Sequence, residues 1–111
     1  MCRGGLSNRT LPVAAYVISD VSVRDAAAIQ TYRVRAAASI ARYGGRYLAR
    51  GGAVTSLEGS WRPEAIILVE FPDAEQARAW YHSPEYAAAL DIRDQALGRD
   101  LILVEGIDGS K

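Results

Sequence analysis

EAIILVEF, residues 64–71, is the strongest strand signal in the chain, and its lack of alternation decides the fold. A strand with water on one side alternates apolar and polar residues, because successive side chains point to opposite faces. Ala65-Ile66-Ile67-Leu68-Val69 instead puts apolar side chains on both faces, and LILV at 101–104 does the same before Glu105. Helices can cover only one face of a sheet built from such strands. The same sheet from a second copy, packed about a two-fold axis, is the economical cover for the other. Left open, that face would be a patch prone to aggregation. The alternative is a monomer in which the C-terminal tail or residues 53–62 fold over the face.

Working outward, Pro72 stops the ladder, and Asp73 with Gln76 has capping-box spacing for a helix whose inner side carries Ala74, Ala77, Trp80 and Tyr81. Ser83-Pro84-Glu85 restarts a helix with a serine cap, proline at the first helical position and an acid near the positive end. Tyr86, Leu90, Arg93 and Leu97 share its stripe, Gly98 is expected to end it, and DLILVE at 100–105 is the last strand. Upstream, VAAYVISD at 13–20 reads as a strand. Ser22 and Asp25 have capping-box spacing, and Ile29, Tyr32, Ala36, Ile40 and Tyr43 recur on one face of a helix of about five turns. Gly44 falls where a left-handed cap belongs. RYLAR at 46–50 is a weak strand that runs into Gly51-Gly52, a pair suggesting a bulge or bend, and AVTSL at 53–57 continues it on a new heading. Glu58-Gly59-Ser60 is a turn.

The order is strand, helix, strand, strand, broken helix, strand. That is an α+β, ferredoxin-like βαββαβ domain, with a four-stranded antiparallel sheet and right-handed crossovers placing the helices on one face. The 111 residues hold one domain, expected over 13–107, between a disordered leader at 1–12 and a tail at 108–111. Thirteen basic and thirteen acidic residues cancel, so no broad positive field exists to bind nucleic acid. Cys2 is the only cysteine and His82 the only histidine, so neither an internal disulfide nor a zinc cluster of His and Cys can form. No apolar run approaches the ~20 residues of a membrane span, and the leader lacks the apolar core of a signal peptide. A cytoplasmic, cofactor-free protein with itself as partner and neither nucleic acid nor membrane as one is the expectation.

Several phrases together carry a resemblance: YGGRYLARGG at 43–52, LEGSWRP at 57–63, ILVEFPDAEQARAWYHSPEY at 67–86 and LVEG at 103–106. In this order they resemble the domain-of-unknown-function 1330 family, small bacterial proteins of the dimeric α/β-barrel group. The resemblance spans about residues 13–107. It implies the ferredoxin-like fold and face-to-face dimerisation, and no established reaction. The wider group includes cofactor-independent monooxygenases, haem-handling proteins and lactone isomerases, which is an analogy of fold alone.

Arg50 ends a strand beside two glycines, where a ligand can approach closely and a guanidinium can grip a carboxylate or enolate with two prongs. Its alternative is an ion pair with Glu58 or Glu70. Arg93 lies in an inward stripe and needs either a carboxylate or an anionic ligand, unless its stem runs along the edge and its head reaches water. Tyr16, Tyr32, Tyr47, Tyr81 and Tyr86 lie on segments expected to face the space between helices and sheet. There, phenols suit a small aromatic or keto-acid ligand, or simply pack in the core. The ligand-binding candidates are therefore Tyr16, Tyr32, Tyr47, Arg50, Tyr86 and Arg93. Candidates for a catalytic role are Arg50, Tyr32, Glu58 and His82. Glu58 would need desolvation to act as a base, whereas turn glutamates are usually solvated. His82 could be a base or an axial haem ligand, although residues at a helix break usually face water. These candidates point to a small anionic or aromatic metabolite that is transformed or merely bound, with a structural dimer and haem handling through His82 as the other readings.

The patterning makes one prediction about assembly. Sedimentation at micromolar concentration should give twice the 12.0 kDa chain mass. A single 12.0 kDa species would show that the second sheet face finds its cover within one chain.

Overall fold

The computed structural model describes residues 13–107; the expected leader and tail lie outside the described residues. The elements are β1 (Ala15–Val23), α1 (Ala26–Arg42), β2 (Arg46–Arg50), β3 (Ile66–Phe71), α2 (Ala74–Tyr81), α3 (Pro84–Ala96) and β4 (Leu97–Glu105). The sheet has the order β2-β3-β1-β4 and every pairing is antiparallel. This is the ferredoxin-like arrangement the element order implies. No helix among the described residues is long and apolar enough to cross a membrane.

Register assigns each side chain to a face. Val17 lies opposite Val69 and Leu103, and Ile18 lies opposite Leu68 and Ile102. Ala15, Val17, Ser19, Val69 and Phe71 are buried on the helix side. Between them, Tyr16, Ile18, Leu68, Ile102 and Val104 point the other way, where Ile102 is 56% and Val104 42% exposed. Among the described residues, 53–62 reach this face at its end, where the Trp61 indole N–H donates to Asp20 Oδ2 at 3.2 Å, and they leave Ile102 and Val104 exposed. Residues 51–65 form no strand and are largely exposed, with Leu57 92% exposed.

Local chemistry sets the element ends. Asp25, rather than Ser22, caps α1: its carboxylate accepts from the backbone N–H groups of Ala27 and Ala28, both at 2.9 Å. Ser22 remains in β1, which pairs with β4 as far as Val23. Gly44 has the left-handed φ of 80° that ends α1 without a Cβ clash. Asp73 accepts from Gln76 N–H at 2.8 Å, and Ser83 Oγ from Tyr86 N–H at 3.0 Å, with Pro84 opening α3. Gly98 does not end that helix. Leu97 turns directly to extended backbone (φ −159°, ψ 163°), and Gly98 and Arg99 become part of β4. The expected strand at 53–57 does not form; instead Gly51 (φ 75°) turns the chain out of the sheet, and a bulge falls at Leu48.

The core lies between the sheet and α2–α3. Trp80 stacks near Tyr86 (ring centroids 4.2 Å) and Phe71 (5.3 Å), and its indole N–H donates to Ser39 Oγ at 3.0 Å. α1 packs on α3, and the small residues Ala28 and Ala36 of α1 and Ala89 of α3 are buried. The turn after α1 is seated by Gly45, where a Cβ would come within 2.7 Å of Ile40 Cγ2 and 2.8 Å of Phe71 Cε1. Gly45→Ala should therefore lower stability by about 1–3 kcal/mol through overpacking. Gly52→Ala, with nothing within 4 Å of the added methyl, should change it by less than ~0.5 kcal/mol. Urea titrations of the two variants check this contrast.

Candidate functional site

The same register that buries Val17 and Val69 leaves a cavity above them. α1 packs mainly on α3 and stands off the sheet, and the gap holds a pocket of about 560 Å³. That is within the range of ligand-binding cavities. Its floor is Val17, Ser19, Val21, Ile67 and Val69, and its roof is the inner face of α1, including Ile29, Tyr32 and Ile40. Exposed Gln30, Arg33 and Val34 of α1 face Arg50 and Gly51 across the rim. Three arginines, Arg33, Arg50 and Arg99, line this pocket, and no aspartate or glutamate does.

Arg99 is the most constrained of the three. Its Nη1 donates to the Tyr32 hydroxyl, and the Tyr32 and Tyr86 hydroxyls share a hydrogen bond of 2.7 Å. The guanidinium carbon lies 5.7 Å from the ring centre of each tyrosine, within reach of cation–π attraction. Its Nη2 is buried and has no hydrogen-bond acceptor among the described residues. No carboxylate among them forms an ion pair with Arg99. Arg99 as a residue is half-buried and also borders grooves that hold Asp94, Asp20 and Asp100, so what the protein leaves unsatisfied is this one buried N–H group, which an arriving anion could accept from. Burial is also the main reason that the Tyr32 phenol is held well above its ordinary 10.0, with the neighbouring Tyr86 adding to it and Arg99 opposing it.

At the other side of the pocket Arg50 lies over the Tyr47 ring, 4.5 Å from its centre. Neither expected ion pair forms. Glu70 is taken by Arg46 at 2.7 Å on the opposite sheet face, and Glu58 is exposed in the segment 51–65. Tyr47 is pushed up by burial, a shift that Arg50 partly offsets.

The sequence candidates thus divide by place. Tyr32, Tyr47 and Arg50 line the pocket, and Tyr86 joins it through its hydroxyl bond to Tyr32. Tyr16 belongs to the open sheet face, with its hydroxyl 3.5 Å from Glu70 Oε2, because its pleat position is opposite in sense to Val17. Arg93 pairs with Asp94 at 3.1 Å and lies in an adjoining groove that shares Leu97, Arg99 and Leu101 with the pocket. Its partner is neither Glu70 nor Glu105. His82 is exposed at the C-terminal end of α2, edge-on to Tyr81, and borders a neighbouring cleft of about 340 Å³ that shares Val17, Trp80 and Leu101 with the pocket. Among the described residues no group of three or more His, Cys, Asp or Glu is placed to hold a metal ion.

Arg99 is absent from the sequence-derived candidates. The signal for it was parity: Leu97, Arg99, Leu101 and Leu103 share one face of β4, so an arginine there interrupts an apolar row. Ending the helix at Gly98 conceals this, because it puts Arg99 in a connection.

The sequence model of the domain of unknown function DUF1330 matches residues 14–107. Among curated proteins none matches the chain at the level that marks a relative. Among solved structures, a protein of unknown function from Rhodopseudomonas palustris superimposes with a TM-score of 0.70 at 17% identity, covering 96% of this chain and 94% of that one. SnoaB, a cofactor-independent oxygenase from Streptomyces nogalater, gives 0.55 at 17% identity over 83% and 90% of the two chains. A dimeric protein of unknown function and ferredoxin-like fold from Bacteroides fragilis gives 0.55 at 16% identity over 83% and 95%. At these identities the likeness is one of fold.

The buried phenol yields a prediction with a definite sign. The unfolded chain releases the Tyr32 proton near 10.0, whereas the folded chain retains it well above that value. Stability should therefore be intact below about pH 10 and fall as the pH rises past it. Ultraviolet titration of tyrosinate should show a fraction ionising only with alkaline unfolding, and this late fraction should shrink in Tyr32→Phe.

Proposed function

This chain belongs to the DUF1330 family, and on that premise we propose that it is a homodimer whose protomers each bind a small anionic, aromatic metabolite between α1 and the sheet. One observation carries the reading: in a chain of zero net charge, the pocket lining has three arginines and no carboxylate. The local imbalance favours an anion, and the apolar floor with Tyr32, Tyr47 and Trp80 favours a flat ring. A carboxylate or enolate beside Arg99 would accept from the guanidinium and bring a counter-charge into a site of low polarity.

The donor set also bounds the chemistry. The titratable side chains facing the cavity are arginines and neutral tyrosines, and no His, Asp or Glu lines it. Such a site stabilises negative charge on a ligand and does not provide a side-chain base of neutral pKa. Any transformation would have to begin from a substrate acidic enough to ionise on binding. The oxygenase from Streptomyces nogalater, described as cofactor-independent, makes this a coherent route on the same fold, by analogy alone. For the dimer, the support is the apolar face of Ile18, Leu68, Ile102 and Val104, together with the dimeric state given for the Bacteroides fragilis neighbour.

Thermal-shift titration with 2-naphthoate tests the binding. The melting temperature should rise with probe concentration, as it does for any ligand selective for the folded state. Arg99→Gln should abolish the rise, whereas Arg46→Gln, on the other sheet face, should keep it. An unchanged rise in Arg99→Gln would remove the guanidinium from the site. No rise with the wild-type chain would remove the pocket's assignment to aromatic anions.

A further inference from the structure

The pocket is not cationic at a single point. Arg99 lies on β4 and Arg50 on β2, the two edge strands of the sheet, and both line the same cavity. β1 and β3 separate them, so three strand spacings of ~4.8 Å put about 14 Å between their strands. Arg99 is opposite Val21, whose N–H donates to Ala65 O, whereas Arg50 is opposite Ile67, itself opposite Ser19. That two-residue offset adds about 7 Å along the strands, so the two backbone positions are roughly 16 Å apart. The cavity floor between them is formed by Val17, Val21, Ile67 and Val69, with Ser19 as its one polar side chain.

Both ends set a guanidinium against aromatic rings, Arg99 half-buried and Arg50 exposed at the rim. Arg99 is held against the Tyr32 and Tyr86 rings, and Arg50 against the Tyr47 ring, with no carboxylate paired to either among the described residues. Stacking on a ring orients a guanidinium and leaves its hydrogen-bond donors free for a planar acid group. A molecule with one acidic group would satisfy one end and leave the other arginine without a counter-charge. A molecule with an acid at each end would satisfy both.

We infer that the pocket selects an elongated ligand with an apolar or aromatic body and an anionic group at each end, one held by Arg99 beside Tyr32 and the other by Arg50 beside Tyr47. The inference rests on the anion-binding reading of this pocket and adds the shape and charge pattern of the ligand.

The test compares naphthalene-2,6-dicarboxylate with 2-naphthoate, which share one ring system and differ by the second acid. Isothermal titration of the wild-type protein should show the diacid binding at least ~10-fold more tightly. Arg50→Gln should bring the ratio of the two affinities close to one. Arg46→Gln removes the same charge from the same strand on the opposite face and should preserve the ratio. Arg99→Lys, which keeps a charge but not the two-pronged geometry, should weaken both ligands without unfolding the chain, with circular dichroism as the check on folding. Equal affinities in the wild-type protein would overturn the two-ended ligand while leaving the anion pocket standing. A ratio that survives Arg50→Gln and is lost in Arg33→Gln would overturn the assignment of the second end. Absence of binding by either probe would overturn the anion reading, and this inference with it.

Discussion

The pairing of β1 with β3 is the constraint on which the rest depends. It sets Val17 against Val69 and Ile18 against Leu68, and thereby assigns every side chain of the sheet to one of two faces. Because the pleat repeats every two residues, a slip of one position would exchange the faces completely. The pocket floor would then carry Tyr16, Ile18 and Asp20, and Ser19 and Val21 would move to the open side. β4 inherits the same parity through Val17–Leu103 and Ile18–Ile102, which is what brings Arg99 beneath α1.

Helix placement decides what that parity is used for. α1 is fixed from its ends and along one side: Arg24 N–H and Asp25 N–H both donate to Ala96 O, Arg35 donates to Ala88 O, and Gly45 seats the following turn against Phe71. These contacts press α1 onto α3, and the space beneath its other side remains a cavity. The hydroxyl pair of Tyr32 and Tyr86 bridges the two helices at the edge of that cavity. A role in packing and a role in presenting Arg99 thus coincide in the same two phenols.

Charge follows a similar division. The chain as a whole is neutral, but none of its acids among the described residues lines the pocket, and several are engaged elsewhere: Glu70 with Arg46, Glu85 with Arg42, Asp94 with Arg93, and Asp25 and Asp73 at helix starts. What remains in the pocket is cationic. Whole-chain composition carries no information about a field confined to one cavity.

The sequence by itself determined the element order, three helix starts to within a few residues, the left-handed Gly44 and the doubly apolar strands. These are local or periodic properties, written in neighbouring residues. It also singled out Tyr32, Tyr47, Arg50 and Tyr86, since residue type and neighbourhood suffice to nominate a phenol or guanidinium. It misplaced Tyr16, because a run apolar on both faces carries no sign of which face the helices take. It passed over Arg99 because the helix passes straight into β4 without the glycine stop that Gly98 seemed to offer. Only the tertiary structure decided that Arg99 and Arg50, from opposite edges of the sheet, share one cavity. Strand order and helix stand-off are long-range packing outcomes, and no local pattern encodes the distance between two edge strands.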